Sequence, residues 1–242
     1  MPKQATSEKV GRQRRERGSI SAEEIINGAF EVARRDTLDK LSMPELAKHL
    51  DVGVTSIYWY FRKKDDLLNA MTDEAIRIVF EQLLPVEKSD WKSYLREHFA
   101  LTRTIYSADH TLCDLALVRF GTYSKEAVHQ VFVVMEEILE MLIEAGFEPQ
   151  SALEVYESMS VYTRGSILLE RIQLSAKSPT IDDQRQARLI DPVDMPRLAE
   201  LIKTRSLSMV ADDDYDAGIG HLMTGFEAVL RADKRARKAA DA

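Results

Sequence analysis

Residues 42–68 read SMPELAKHLDVGVTSIYWYFRKKDDLL. Two short helical patterns flank Asp51-Val52-Gly53-Val54, and a third helix starts at about Lys64. Ser42 and Glu45 have the spacing of a helix cap, and Pro44 falls in the first turn, where a missing N–H costs nothing. Leu46, Ala47 and Leu50 are the inward residues by helical period. Gly53 is expected in the turn, where a positive φ is cheap for glycine. Thr55 is expected to cap the following helix. Val54, Ile57, Tyr58 and Phe61 fall on one side of that helix, and Thr55, Ser56, Trp59 and Tyr60 on the other, with Tyr58 at the boundary. Arg62, Lys63 and Lys64 come directly after. A short helix with polar and aromatic residues outside and cations behind suits a groove walled by phosphates. The stretch reads as a helix-turn-helix that contacts DNA, with the remaining chain controlling it.

Upstream, Ser21-Ala22-Glu23-Glu24 has capping-box spacing, and Ile25, Ile26, Ala29, Phe30 and Ala33 give one apolar helical face. Residues 1–20 carry six cations against two acids and no apolar period. They are expected to form a basic, flexible arm, with Arg14, Arg15 and Arg17 as phosphate or minor-groove contacts or as a solvated tail. The net charge of −7 is unevenly spread: residues 1–72 balance at +2 and the remainder at −9. An acidic body with a basic head would turn the head toward DNA.

Downstream, the pattern is helical throughout. Helices are expected over about 64–83, Trp91 to Ser107, 109–120, 124–145, 149–174, a modest one from Asp194-Met195-Pro196, and a last one to about Ala232. Gly146 is placed to end the 124–145 helix, residues 175–193 read as a loop, and residues 233–242 as a charged tail. Ten Gly and seven Pro in 242 residues favour long helices over many turns. The single cysteine, Cys113, excludes an intrachain disulfide and fits a reducing cytoplasm. The longest apolar run, Val131 to Met135, is too short to cross a membrane, and the opening residues lack the apolar core of a secretory leader. Five scattered His, no Gly-rich phosphate loop and no paired metal spacing argue against an enzyme and against a metal or other cofactor.

The segment Ser21 to Leu68 resembles the DNA-binding domain of TetR-family transcriptional regulators. The matching pieces are Leu41-Ser42-Met43, Leu46-Ala47, Leu50, Val52-Gly53-Val54, Ile57-Tyr58, Tyr60-Phe61, Lys64 and Leu67-Leu68. Asp90-Trp91, Ala145-Gly146-Phe147, Pro196-Arg197-Leu198 and Gly225-Phe226-Glu227 look like the regulatory domain of the tetracycline-repressor branch. The resemblance implies an all-α homodimer. A three-helix reading domain over 21–67 would precede a larger ligand-binding and dimerisation domain over 68–232, with an intersubunit four-helix bundle from helices near 149–174 and 213–232. It implies a repressor released from a palindromic operator by a small effector. One departure is informative. Arg119 stands where that branch has a metal-ligating His, and Phe80 where a ligand-contacting His is expected. Arg cannot ligate Mg²⁺ and Phe offers no donor atom, so tetracycline with Mg²⁺ is not the expected effector.

The expected DNA contacts are Ser42, Thr55, Ser56, Tyr58, Trp59, Tyr60 and Lys64, with the three arginines of the arm. Thr55, Ser56 and Tyr60 are the base-edge candidates, and Lys64 and Tyr58 phosphate contacts. The expected effector-pocket residues are Val79, Phe80, Phe99, Arg103, Tyr106, Leu115, Arg119, Phe132, Met135, Tyr156, Met159 and Thr163; for any single apolar one, core packing is the commoner explanation. Arg103 and Arg119 would meet an anionic ligand group or a salt-bridge partner such as Glu136 or Glu157. Ala217, Gly220, Thr224 and Ala228 form a small-residue stripe suited to close helix crossing at a dimer interface. The competing expectation is a regulator without a small-molecule effector, either architectural or sensing a partner protein.

Overall fold

Ser21 opens the first helix with a reciprocal cap. Its hydroxyl accepts from the Glu24 amide at 3.0 Å, and the Glu24 carboxylate accepts from the Ser21 amide at 2.9 Å. Two of the donors that a helix start leaves unpaired are thereby satisfied. The computed structural model describes residues 20–83, 85, 90–119, 123–175, 188–204 and 212–240. Among these the regular elements are helical. They are α1 (Ala22–Asp36), α2 (Met43–His49), α3 (Val54–Tyr60), α4 (Lys64–Gln82), α5 (Trp91–Ala108), α6 (His110–Cys113), α7 (Lys125–Ala145), α8 (Pro149–Ser175), α9 (Pro196–Leu201) and α10 (Asp212–Ala240). A 3₁₀ turn covers Leu38–Lys40 and a π-helical segment covers Asp114–Val118.

The chain forms two units that divide after Met71, inside α4. In the first, α1, α2 and α3 bury Ile25, Phe30, Leu46, Val52, Ile57 and Phe61, with Leu67, Leu68 and Met71 from the start of α4. Gly28 is where α1 passes α2: an added Cβ would meet Leu50 Cδ2 at 2.6 Å.

In the second unit α8 packs against α5, α7 and α10. Their shared core holds Trp91, Leu95, Phe99, Ile138, Leu142, Phe147, Met159, Ile219 and Phe226. Trp91 meets the Phe147 ring edge-on at 5.1 Å. α7 ends as expected at Gly146, whose φ of 110° is open to glycine at no steric cost.

Three expectations about elements need correction. The helix expected over 109–120 is instead α6 followed by the π-helical segment. The last helix does not stop near Ala232 but continues to Ala240, so residues 233–240 are not a tail. Side-chain bonds explain this: Asp233 accepts from the Glu148 amide at 2.9 Å, and Arg237 donates to the Glu148 carboxylate at 2.7 Å, pinning the added turns to the corner between α7 and α8. Of the loop expected over 175–193, residues 176–187 lie outside the described residues, and Arg188 and Leu189 are helical. The basic arm, with Arg14, Arg15 and Arg17, also lies outside them.

Candidate nucleic-acid interface and regulatory core

The reading unit builds its outer face on α3. Gly53, not Thr55, is the cap residue, and it has extended geometry with φ −72°. The positive φ falls at Asp51, at 54°. Aspartate is among the few side chains that tolerate this region, so the turn closes one residue pair earlier than the glycine suggests. Starting at Val54, α3 buries Ile57 and leaves Thr55, Tyr58 and Trp59 outside. Trp59 is 77% exposed and Tyr58 45%. Large aromatics this open on a seven-residue helix contribute little to folding, so their presence asks for another reason. Arg62 and Lys63 stand exposed just beyond.

The other expected contacts divide. Ser56 is half-buried. Ser42 accepts from the Glu45 amide at 3.3 Å, which commits its oxygen to the cap of α2. Tyr60 departs from its expected role as a base-edge contact. Its hydroxyl donates to the Ile20 carbonyl at 2.7 Å, and its ring stands edge-on to Trp59 at 4.7 Å. It ties the entry of α1 to the end of α3 and braces Trp59. Lys64 reaches the Asp39 carbonyl at 3.5 Å and is half-buried. The acidic caps Asp65 and Asp66 sit in the first turn of α4, where the helix dipole favours them.

The regulatory unit brings some pocket candidates together and scatters others. Phe99 and Met159 are part of the packed core, with Tyr156 against it. Val79, Tyr106 and Leu115 are also buried. Thr163 is fully buried and bonds the Tyr215 hydroxyl at 2.9 Å, which in turn donates to the Phe99 carbonyl at 3.2 Å. Phe80, Met135 and Arg119 are half-buried. Phe132 departs from the interior pocket expected for it: it is 60% exposed. It lines an open groove of about 290 Å³ with Tyr123, Ser124, Lys125, Val128 and His129 at the start of α7.

Arg103 pairs with neither Glu136 nor Glu157. It reaches Glu170 and Ser166, each at 3.4 Å, and its guanidinium lies 4.9 Å over the Tyr215 ring. Glu170 also accepts from Ser107 at 2.9 Å. A two-pronged ion pair in the unit has no counterpart among the sequence expectations. Arg171 donates twice to Asp114, at 2.8 and 2.7 Å, and each side chain is only one-fifth exposed. A spacing of 57 residues carries no local signal, so only the fold reveals it.

Burial sets the protonation of the core. His98 lies among Tyr94 and Phe99, and desolvation pushes its pKa down to about 4, so the ring is neutral. The Tyr94 hydroxyl bonds its Nδ1 at 3.2 Å. Burial raises the Cys113 thiol to about 11, which makes it an inert core group.

The small-residue stripe of α10 faces outward. Ala217, Thr224 and Ala228 are exposed or half-buried and Gly220 half-buried, while Thr224 donates to its own helix at Gly220. On α8, Val161 is 72% exposed, with Leu169 and Ile172 also open. Gly218, absent from the expected stripe, has the closest neighbour among the described glycines: a Cβ there would lie 1.9 Å from the Tyr162 hydroxyl oxygen.

Comparison with known proteins agrees with this architecture. Residues 25–71 match the family of bacterial regulatory proteins of the tetR family, and residues 84–230 match the tetracyclin repressor-like C-terminal domain. An HTH-type transcriptional repressor of Mycobacterium tuberculosis is 44% identical over 192 residues, covering 78% of this chain and 72% of that protein. The class G tetracycline repressor of Vibrio anguillarum is 27% identical over 217 residues, covering 86% and 96%. In fold, the chain is similar to ActR of Streptomyces coelicolor in complex with actinorhodin, with a TM-score of 0.67, 21% identity, and coverage of 88% and 99%. The chain therefore belongs to the TetR family: it is an all-α, DNA-binding transcriptional regulator and not an enzyme.

Proposed function

We propose that this regulator is a cytoplasmic homodimeric repressor that leaves a palindromic operator when a small apolar or amphipathic effector binds its second unit. The observation that carries the DNA half is the exposure of Tyr58 and Trp59 on α3, beside Thr55 and ahead of Arg62 and Lys63. Thr55, Tyr58 and Trp59 face base edges and sugar in the major groove, and the lysines and the basic arm hold phosphates. Two copies of α3 read half-sites about 34–36 Å apart, or a multiple of that.

The dimer reading rests on the open apolar residues Val161, Leu169 and Ile172 of α8 and the small-residue face of α10. Apolar groups this open on long helices favour a helical partner. The effector reading rests on Arg103, Thr163 and Tyr215, a polar group set among the aromatic rings of a helical core. The name of the mycobacterial relative supports repression.

The test is a gel shift with the DNA flanking the coding sequence, run at several salt concentrations. A repeat-containing fragment should shift, with log affinity falling linearly against log salt as counterions are released. Light scattering after size exclusion should give twice the 27.5 kDa chain mass. A protein that binds no fragment at any salt, or stays monomeric at micromolar concentration, would contradict the corresponding half of the proposal.

A further inference from the structure

Arg164 stands half-buried on α8. Among the described residues it makes no hydrogen bond and no ion pair. Its neighbours in kind are engaged. Arg171 lies seven residues further along α8, which brings it nearly back to the same side of the helix, roughly 10 Å away. Asp114 closes on both its prongs. Arg103 is held by Glu170 and lies over the Tyr215 ring.

Three phenols feel the Arg164 charge, and they come from three parts of the unit: Tyr106 on α5, Tyr123 ahead of α7, and Tyr156 on α8 itself. Burial raises the pKa of each, and in each the Arg164 charge works the other way. Tyr106 is buried and Tyr156 half-buried, yet among the described residues neither hydroxyl has a hydrogen-bond partner. A polar group withdrawn from water ordinarily finds a partner. Here a guanidinium with five donors and two phenol donors come together with no anion among them.

Tyr123 belongs to a second feature as well, the groove of about 290 Å³ at the start of α7. Val128 and Phe132 give that groove an apolar wall, and Lys125 and His129 stand exposed along it. Asp73, the acid beside it, already accepts from the Ser124 amide at 2.9 Å. The groove is therefore apolar inside and cationic at its edge.

We propose that Arg164 and this groove form one site, joined at Tyr123, whose ligand is a small aromatic carboxylic acid. The carboxylate is received by Arg164 and the Tyr106 and Tyr156 hydroxyls, and the ring lies against Val128 and Phe132. A carboxylate presents the flat pair of acceptors that a guanidinium fork takes two at a time. A neutral hydrocarbon of the same size would leave all three donor groups unfilled and out of water. The proposal narrows the class of effector given above and rests on that reading for its regulatory meaning, whereas binding itself needs no DNA.

The test titrates benzoate, salicylate and cinnamate into the wild-type protein by calorimetry, each beside its uncharged primary amide. At least one acid should bind, at least roughly tenfold tighter than its amide. Arg164→Gln should bring that acid down to the level of the amide. Tyr106→Phe and Tyr156→Phe should each weaken the acid by roughly 3- to 10-fold and leave the amide unchanged. Arg164→Lys keeps the charge without the fork and should fall between wild type and Arg164→Gln. Circular dichroism and light scattering check the fold and oligomeric state of every variant. Should Arg164→Gln not fold, Arg164→Lys and the two Phe variants decide the matter. The site is overturned if none of the acids binds, if the amides bind as well, or if folded Arg164→Gln keeps the preference. Dissociation of Arg164→Gln into monomers would also overturn it, since Arg164 would then serve the contact between copies. The same acid added to the gel shift tests the effector reading separately. An acid that binds with the stated preference but leaves DNA affinity unchanged would uphold the site and overturn its part in release.

Discussion

The two units of this chain expose their apolar groups for different reasons. The reading unit keeps its aliphatic residues inside and puts two aromatics, Tyr58 and Trp59, on a short helix beside cations. The regulatory unit buries Trp91, Phe99 and Phe147, opens Phe132 on α7, and leaves aliphatic and small residues open along α8 and α10. Aromatic faces with polar edges suit the stacked, hydrated wall of a nucleic-acid groove. Aliphatic faces with small residues suit another helix. The two units thus expose two chemistries: aromatic groups beside cations on α3, and aliphatic groups with small residues on α8 and α10.

The largest effect expected from breaking this contrast is at Gly218. A Cβ there collides with the Tyr162 ring, which stacks on Tyr215 and cannot withdraw freely. Gly218→Ala should cost about 1–3 kcal/mol of stability, read by chemical denaturation. Gly28→Ala in the reading unit should cost less, because its neighbour is the tip of the flexible Leu50 side chain.

Acid should separate the units next. His98 has a folded pKa of about 4 against an ordinary 6.5, so the unfolded chain binds the extra proton between those values. Stability is full above pH 6.5 and falls as pH drops toward 4, by up to about 3 kcal/mol. A His98→Leu variant should flatten that slope in denaturation curves taken across the window. Unchanged slope would mean that His98 is not the titrating group.

Smaller effects sharpen the comparison. Tyr60→Phe should lose about 1 kcal/mol, since it removes the bond to the Ile20 carbonyl. Gly220→Ala meets nothing within 4 Å inside the chain. It should stabilise an isolated chain by about 0.5–1 kcal/mol through helix propensity, yet weaken a dimer that crosses there. Sedimentation over a concentration series separates the two.

The sequence is most legible where the controlling forces are local. Caps at Ser21, Ser42 and Ser124, the stop at Gly146 and the inward set Leu46, Ala47 and Ile57 follow from spacing alone. The departures have a common physical source. Gly53 and Thr55 are each plausible turn residues, but the closing geometry falls to Asp51, and neighbours decide that. Tyr60 faces outward by period, yet its hydroxyl is recruited by a carbonyl 40 residues away. The extension of α10 to Ala240 depends on Glu148, and the π-helical segment on Arg171. None of these partners lies within a helical turn, so periodicity cannot report them. Phe132 belongs to a strongly apolar run and is expected inside for that reason, whereas α7 presents it to an open groove.

The most direct measurement is the anisotropy of a labelled duplex bearing the inverted repeat beside the coding sequence, against a scrambled duplex at equal salt. Wild-type protein should prefer the repeat by at least roughly 10³-fold. Trp59→Ala should lose roughly tenfold or more of that preference. Its melting should be unchanged within about 0.5 kcal/mol, because the ring is exposed. Undiminished preference in Trp59→Ala, or none in the wild type, would contradict the assignment of α3 as the reading helix.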